Sequence, residues 1–330
     1  MDAERLNRAL ALRPSWAAPD AVLVSRYGYI VGEQYRDGFS ANERHESYSV
    51  AKSYVSALVG MAIADGALPG LDAPLVDYIP EWRSRPGFDR ITVDHAMNLT
   101  TGLAWQEDWR STATTVNEVH QARPNLLDYV LARPLVAEPG TVRRYSTGDP
   151  ALLSLVLSRA LGQDLADYAM ARLLVPIGSS ALQWGRDARD RAMTYAGIQA
   201  TARDYARFGL LYRNQGRWND SQLVPEPWVR QSTQAPNLCD DWCRYLWHQN
   251  LPRRLAQMPE DCPEFCEAIP TAYADLPSEG FFAQGIRGQF VFVLPAADLV
   301  IVRLAQDGGG IDDWDAYARD FLGLILDSLT

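Results

Sequence analysis

The sequence predicts an α/β protein in which one antiparallel sheet is built from both ends of the chain. Short apolar segments predict a strand pair at residues 21–24 and 29–32, and a second pair at residues 289–294 and 299–304. A short segment rich in turn residues separates the strands of each pair, as in a β-hairpin. The long middle of the chain has mostly helical patterns, so we expect flanking helices and an inserted helical lobe.

We expect residues 1–45 and 195–330 to form the sheet domain, and residues 46–194 to form a mostly helical domain. Residues 237–275 are predicted to be a surface insertion within the sheet domain. A last helix over residues 314–329 has the apolar spacing to pack on the sheet. A cleft between two lobes is a common position for a binding pocket, so we place the expected site there.

Composition and charge exclude several classes of protein. The 330 residues are 47% hydrophobic and 22% charged, which is the balance of a folded globular protein and excludes a disordered chain. The net charge of −10 argues against nucleic acids and anionic membranes as partners. No stretch reaches the ~18 apolar residues of a membrane-spanning helix, and residues 1–13 carry charges where a signal peptide would be apolar.

Lys52 is the only lysine among the 31 lysine and arginine residues. Arginine stays protonated in proteins, whereas a buried lysine can lose its proton and act as a base. A lone lysine in an arginine-rich chain therefore indicates a task that arginine cannot perform. The alternative interpretation is that a compositional bias left one lysine at an arbitrary place.

Ser49 stands three residues before Lys52, at the start of a predicted helix. Residues 55–64 are apolar or small on nearly every face, which predicts a buried helix ending at residues 65–66. The spacing places both side chains on one helical face, and the helix N-terminus stabilises negative charge that develops at Ser49. Burial favours the uncharged amine, so we predict a nucleophile and its base. The alternative is a serine cap with an incidental lysine.

Tyr145 lies on a short loop in front of a second predicted helix. Asp149 is suited to the N-cap and Pro150 to the first helical position, and we expect the helix to run to Leu161 and stop at Gly162. A side chain on a loop held by such a helix is well placed for a functional role. Considered alone, Tyr145 could equally be a packing residue.

Taken together, the Ser49-x-x-Lys52 motif and Tyr145 resemble those of the penicillin-recognising serine hydrolases. This group includes class C β-lactamases, DD-peptidases, family VIII carboxylesterases and 6-aminohexanoate-dimer hydrolase. Supporting matches occur at residues 91–103 and 197–209. The resemblance covers about residues 20–325 and implies a β-lactamase-like fold.

The resemblance implies a role for each motif residue. Ser49 would form the acyl-enzyme, Lys52 would act as its base, and Tyr145 would relay a proton to the leaving group. The substrate would be a small ester or amide, and neither a cofactor nor a metal is required. The chain would act as a monomer or a homodimer, with no nucleic acid or membrane partner.

Two departures from the group bear on the substrate. Thr147, a predicted substrate-binding residue, stands where many relatives have asparagine after the tyrosine. Residues 283–289 lack the lysine that β-lactamases carry in their Lys-Thr-Gly strand. This favours the carboxylesterase and 6-aminohexanoate-dimer hydrolase side of the group. The alternatives are a β-lactamase or DD-peptidase, or a catalytically silent binding protein of the same fold.

The strand near the C-terminus is expected to complete the oxyanion hole. Alignment of Gly285 with the last glycine of Lys-Thr-Gly makes the backbone N–H of Ile286 the second donor, beside that of Ser49. A shift of the frame by three residues would assign that role to Gln289 instead. Arg287 would contact an acidic substrate group or form a surface salt bridge.

The other chemically distinctive residues are interpreted as follows. Trp105 is predicted either to line the opposite wall of the site or to belong to the core. The histidines show no metal-ligand spacing and no triad motif supports them; they are His45, His95, His120 and His248.

All the cysteines fall within one window of the chain: Cys239, Cys243, Cys262 and Cys266. Two disulfides would imply an oxidising compartment, periplasmic or extracellular. Free thiols would be compatible with the cytoplasm. Four thiolates could also hold zinc, although their spacing is less typical of zinc sites.

Overall fold

The computed structural model describes residues 1–12, 18–107, 125–233, 242–243, 247–249, 280–306 and 320–329. The helices of this part are α1 (Ala3–Leu10), α2 (Val50–Ala64), α3 (Val93–Met97), α4 (Leu126–Leu131), α5 (Gly148–Leu161), α6 (Leu165–Ala169), α7 (Ala202–Arg213), α8 (Glu226–Ser232) and α9 (320–327). A π-helical turn, Met170–Leu174, follows α6. Short 3₁₀ turns lie at Leu75–Asp77, Pro80–Trp82, Phe88–Arg90 and Pro295–Ala297.

The strands form one large sheet and two small ones. They are β1 (Ala21–Arg26), β2 (Tyr29–Tyr35), β3 (His45–Glu46), β4 (Gln183–Trp184), β5 (Ile198–Ala200), β6 (Arg217–Trp218), β7 (Ser221–Gln222), β8 (Trp242–Cys243), β9 (Trp247–Gln249), β10 (Phe281–Gly285), β11 (Gln289–Leu294) and β12 (Leu299–Leu304). The large sheet has the order β2-β1-β12-β11-β10-β9-β8 and is antiparallel throughout. Strands from both chain ends therefore meet at the β1–β12 pair, which confirms the predicted fold class.

Both predicted hairpins are present, and their turns explain their sequences. Tyr27 and Gly28, between β1 and β2, have φ values of 52° and 80°. A two-residue hairpin turn with positive φ at both central positions matches the twist of the flanking strands. Asp298, before β12, also has a positive φ, and its N–H donates to the carbonyl of Pro295.

The sheet is covered on both faces, and strands β11 and β12 are therefore buried along their whole length. On one face, α7 packs against β1, β11 and β12, while α2 packs against β10 and β11. The other face is covered by α1 and α9, whose buried side chains include Leu10 and Phe321. The described part of the predicted last helix is thus helical and packs on the sheet, as expected.

Helix α2 begins and ends where the sequence predicts. It is buried from Val50 to Ala62, and Gly66 follows it in the left-handed conformation. Helix α5 ends at Gly162 as expected, but it begins at Gly148 rather than at Pro150. The prediction that Asp149 is the N-cap was therefore wrong: Ser146 Oγ accepts the N–H of Asp149, and the Asp149 carboxylate is used elsewhere.

The division of the chain into a sheet domain and a helical domain stays a prediction. Most of the predicted insertion at residues 237–275 lies outside the described residues. No helix in the described part of the chain is long and apolar enough to cross a membrane.

Candidate active site

The turn that carries Ser49 is anchored to strand β5. The N–H of Ser47 donates to the carbonyl of Ile198, and the N–H of Ile198 donates to Ser47 Oγ. Tyr48 has a φ of 44°, which is unfavourable for a tyrosine, and its N–H donates to Glu46 Oε1. A strained residue held by its surroundings often occurs next to a functional group. Here the strain directs the next residue, Ser49, out of the strand and into the first turn of α2.

Ser49, Lys52 and Tyr145 form a closed triangle of polar atoms. Ser49 Oγ lies 2.7 Å from the Tyr145 hydroxyl. Lys52 Nζ lies 2.9 Å from Ser49 Oγ and 3.0 Å from the Tyr145 hydroxyl. Each of the three groups can therefore exchange a proton with the other two. Ser49 and Tyr145 are half-buried, so the triangle borders solvent and is open to a small molecule.

Lys52 is buried, with 2% of its surface exposed. Besides the two hydroxyls, its Nζ donates to the backbone carbonyl of Tyr195 at 3.4 Å. Among the ion pairs found in the described part of the chain, none involves Lys52. In the described residues the amine is thus held by two hydroxyls and one backbone carbonyl, and it lies close enough to both hydroxyls to exchange a proton with either.

Strand β10 ends against the turn of residues 47–49, and a glycine at its last position, Gly285, permits this approach. A Cβ atom on Gly285 would lie 2.5 Å from the carbonyl oxygen of Ser47 and 3.2 Å from the backbone nitrogen of Ser49. Any larger residue would push the strand away from the start of α2. The absence of a side chain therefore brings Ile286, the next residue, to the side of Ser49.

The turn after β10 carries the predicted Ile286 and Arg287. Gly285 pairs with Gln289, so residues 286–288 form a three-residue hairpin loop between β10 and β11. Arg287 is exposed, its Nη1 donates to the carbonyl of Gln306 at 2.9 Å, and its guanidinium lies 5.6 Å from the centre of the Tyr48 ring. Arg287 thus stands beside the turn of residues 47–49, and neither of these two contacts is a salt bridge.

Thr147 and Trp105 meet at a carboxylate that the sequence analysis did not identify. Glu107 accepts the Thr147 N–H at 2.6 Å, the Thr147 hydroxyl at 2.5 Å and the Trp105 indole N–H at 2.8 Å. Both predicted substrate-binding residues are buried, and the Trp105 ring packs against Tyr129 and the backbone of Gly148. Their contacts in this structure are with the protein, and their substrate-binding role stays a prediction.

Asp149 anchors the loop of Tyr145 from the opposite side. Its carboxylate accepts the Ser146 hydroxyl at 3.1 Å and both the hydroxyl and the N–H of Thr101. Burial raises the pKa of Asp149 to about 6, and the negative charge of Glu107 adds to this, while the hydrogen bonds from Thr101 and Ser146 oppose it. Carboxylates therefore hold both residues that follow Tyr145.

The structure brings together most of the residues that the sequence singled out. Ser49, Lys52 and Tyr145 meet directly, and the segment of Gly285, Ile286 and Arg287 lies beside them. The cysteine predictions fall outside the described residues, except for the backbone of Cys243. In the described part of the chain, no three metal-ligating side chains cluster together.

The supporting residues of the site were missed by sequence reasoning. Glu107, Asp149 and Gln289 stand in no recognisable motif, and each acts through contacts with residues distant in the chain or with a neighbouring backbone. The only local signal was at Asp149, which was interpreted as a helix cap because Pro150 follows it.

Known proteins resemble this chain in both sequence and fold. The profile of the Beta-lactamase family matches residues 13–321. The chain is 25% identical over 224 residues to 6-aminohexanoate-dimer hydrolase of Paenarthrobacter ureafaciens; the match covers 64% of this chain and 56% of that hydrolase. The chain thus spans little more than half the length of this relative.

Solved structures share the fold at low sequence identity. A penicillin binding protein from Bacillus halodurans superposes with a TM-score of 0.71 at 14% identity, covering 98% of this chain and 99% of that one. A class C beta lactamase from Rhodobacter sphaeroides gives 0.66 at 19% identity, covering 99% of this chain and 100% of that one. With the family profile matching nearly its whole length, this chain belongs to the beta-lactamase family of hydrolases.

Proposed function

We propose that the protein is a serine hydrolase that cleaves small ester or amide bonds through an acyl-enzyme on Ser49. The observation that carries this proposal is the triangle of Ser49 Oγ, Lys52 Nζ and the Tyr145 hydroxyl, with all distances between 2.7 and 3.0 Å. Covalent catalysis needs an activated nucleophile and a proton carrier to the leaving group, and this triangle supplies both.

In the acylation step, Ser49 Oγ attacks the substrate carbonyl carbon while the uncharged amine of Lys52 takes the hydroxyl proton. The carbonyl π electrons move to oxygen, and the resulting oxyanion accepts the N–H groups of Ser49 and Ile286. When this intermediate collapses, the bond to the leaving group breaks. The leaving group takes a proton from Tyr145, and Tyr145 recovers one from Lys52.

In the deacylation step, water attacks the acyl carbon and gives up one proton to the Tyr145 hydroxyl. Tyr145 passes its own proton on to the amine of Lys52. The second tetrahedral intermediate then expels Ser49 Oγ, which takes the proton back. The product acid leaves and the free enzyme is restored, so no other reactant is consumed. The same groups thus act first as base and then as acid.

The close approach of Gly285 supports Ile286 rather than Gln289 as the second oxyanion donor. Gly285 lies against the backbone of Ser49, whereas Gln289 belongs to the next strand and is buried. The N–H group of Ile286 therefore directly follows the strand that ends against Ser49. An oxyanion donor must reach the same point as the nucleophile, so the nearer strand is favoured.

Two observations support esters and amides over β-lactams as substrates. The strand of Gly285 lacks the lysine of the Lys-Thr-Gly motif, and the relative from Paenarthrobacter ureafaciens is named 6-aminohexanoate-dimer hydrolase. The nearby cation is Arg287, which is exposed beside Tyr48. Because it stands at the open side of the site, Arg287 would meet an acidic group at the far end of a substrate.

The proposal is tested by covalent labelling with a fluorophosphonate, followed by intact-protein mass measurement. We expect one adduct per molecule on the unaltered protein and none on Ser49→Ala. Ser56→Ala is the matched control, because it removes another buried hydroxyl from the same helix, and it should label fully. Equal labelling of Ser49→Ala and the unaltered protein would overturn the proposal, and absence of any adduct would favour a silent binding protein.

The role of Lys52 is tested by measuring ester hydrolysis. Lys52→Arg keeps the positive charge but removes the possibility of an uncharged base, so p-nitrophenyl butyrate hydrolysis should fall by roughly 10²–10⁴-fold. Circular dichroism should show that the variant still folds. Activity within tenfold of the unaltered protein would contradict the base assignment. Faster hydrolysis of nitrocefin than of the ester by the unaltered protein would favour a β-lactamase.

A further inference from the structure

The side chain of Gln289 is fully buried directly behind the loop of residues 286–288. Its Oε1 accepts the N–H of Ala305 at 3.1 Å, and its Nε2 donates to the carbonyl of Ala305 at 2.5 Å. The side-chain amide thus pairs with the backbone of Ala305 as a neighbouring strand would, just beyond the end of β12. This double contact fixes the amide in one orientation, because the reverse would place two acceptors together.

The same nitrogen also faces the loop. Gln289 Nε2 lies 3.3 Å from the carbonyl oxygen of Ile286 and 3.3 Å from that of Arg287. One amide group therefore connects two successive peptide units of the loop to the end of β12. The N–H and the carbonyl of Ile286 belong to two peptide planes that meet at its Cα, so once the carbonyl is held, only the φ and ψ angles of Ile286 remain to turn the N–H.

The loop needs such support because one of its residues has an unfavourable backbone conformation. Arg287 has a φ of 64°, a conformation that is uncommon for residues other than glycine. Gly288 follows with a φ of 75°, and Arg303, buried to 1% exposure, donates from Nη1 to its carbonyl. A Cβ on Gly288 would collide with that guanidinium. The loop shape is thus set by two buried side chains, Gln289 and Arg303.

We propose that Gln289 is a positioning residue for the oxyanion hole: it holds the Ile286 peptide in the orientation that points an N–H at the substrate oxygen beside Ser49. The inference rests on the proposed function, since it concerns the second donor of that site. Gln289 does not touch the reacting atoms. Its effect is transmitted through the carbonyls of Ile286 and Arg287, which are the groups that its amide binds.

The test compares an ester with its thiono analogue, p-nitrophenyl acetate with p-nitrophenyl thionoacetate. Sulfur accepts hydrogen bonds poorly and is larger than oxygen, so an intact oxyanion hole favours the oxygen ester. Gln289→Ala should lower kcat for the oxygen ester by roughly 10–100-fold, less than the ~10²–10³-fold loss of a whole donor, with little change in KM. The preference for the oxygen ester over the thiono ester should fall by about tenfold or more.

A matched control separates this effect from general loss of structure. Gln222 also binds two backbone carbonyls, those of Gln215 and Val224, but at the β6–β7 hairpin. Gln222→Ala should keep the full oxygen-over-sulfur preference. Rates are expressed per active site, counted by fluorophosphonate titration, so a smaller folded fraction changes neither ratio. If Gln289→Ala does not fold, Gln289→Met keeps the volume and Arg303→Met releases the carbonyl of Gly288, and both should lower the preference.

The outcomes distinguish this inference from the proposed function. If the unaltered protein forms no adduct and cleaves neither ester, the proposed function fails and the inference fails with it. If the unaltered protein is active, but the folded Gln289 variants keep its oxygen-over-sulfur preference within twofold, only the positioning role is wrong. A lowered preference in the Gln289 variants and an unchanged one in Gln222→Ala would support the proposal.

Discussion

Asp149 is a buried carboxyl group that lies four residues after the proposed proton relay, Tyr145. Its folded-state pKa of about 6 is above the ordinary value of 3.8, so folding favours its protonated form. The contribution of this group to stability is therefore fully present below about pH 3.8 and is lost as the pH rises through 6. At neutral pH the buried carboxylate of Asp149 therefore lowers the stability of the folded protein, while its hydrogen bond holds the Ser146 hydroxyl in place.

Asp149→Asn should remove this pH dependence, because an amide does not titrate. The free energy of unfolding of the variant, measured relative to the unaltered protein, should rise between pH 4 and pH 7 by up to ~3 kcal/mol, which corresponds to about two pKa units. Urea unfolding at several pH values measures this difference. Asp77→Asn, the same substitution at an exposed carboxylate, is the matched control variant. A flat difference for Asp149→Asn would show that the carboxyl is not perturbed.

At the scale of elements, the site depends on helix α2 being packed on every side. Gly60 lies in this helix where it crosses α8, and a Cβ at this position would lie 2.3 Å from the Trp228 ring. Trp228 is itself buried, so it has little room to withdraw. A glycine in a helix interior usually lowers helix stability, and here that cost permits a close contact between two helices.

Two helical glycines should therefore respond to alanine in opposite ways. Gly60→Ala should lower the free energy of unfolding by about 1–3 kcal/mol, because overpacking exceeds the gain in helix propensity. Gly323→Ala, in α9, should raise it by up to about 1 kcal/mol, because no atom of the described residues lies within 4 Å of the new methyl group. Thermal and urea unfolding of both variants would check this. Stabilisation by Gly60→Ala would show that α2 and α8 are less tightly packed than described.

At the scale of the whole molecule, the two faces of the large sheet have different tasks. The face that contacts α2 and α7 belongs to the core that holds the Ser49 site, whereas α1 and α9 cover the opposite face. Leu10 of α1 packs over Gly32 of β2, at the sheet edge, separated from β10 by three strands. Stability and activity should therefore be separable by substitutions on the opposite face.

Leu10→Ala is expected to lower the free energy of unfolding by about 2–5 kcal/mol, since it leaves a cavity in place of a buried leucine side chain. Ester turnover, expressed per fluorophosphonate-reactive site at a temperature where the variant is folded, should stay unchanged. Differential scanning calorimetry and active-site titration supply the two readouts. A parallel loss of turnover per reactive site would mean that α1 influences the site across the sheet.

The features that the sequence predicted correctly depend on residues close together in the chain. The apolar runs of β11 and β12, the turn at Tyr27 and Gly28, and the end of α2 at Gly66 are all set by neighbours within a few positions. The spacing of Ser49 and Lys52 is of the same kind, because one helical turn is enough to align them. Asp149 shows the limit of local patterns: a good capping residue became a buried anchor because Thr101, far away in the chain, donates to it.

The sequence by itself determined the sheet, the helix that follows Ser49 and the spacing of Ser49 and Lys52, because apolar pattern, turn chemistry and spacing are local properties. Only the tertiary structure decided that Tyr145 stands 3.0 Å from Lys52, which is 93 positions away. It also decided that Glu107 and Asp149 hold the loop of Tyr145, and that Gln289 supports the loop of Ile286. Contacts across such distances arise from the packing of whole elements, and no local pattern records which atoms will meet.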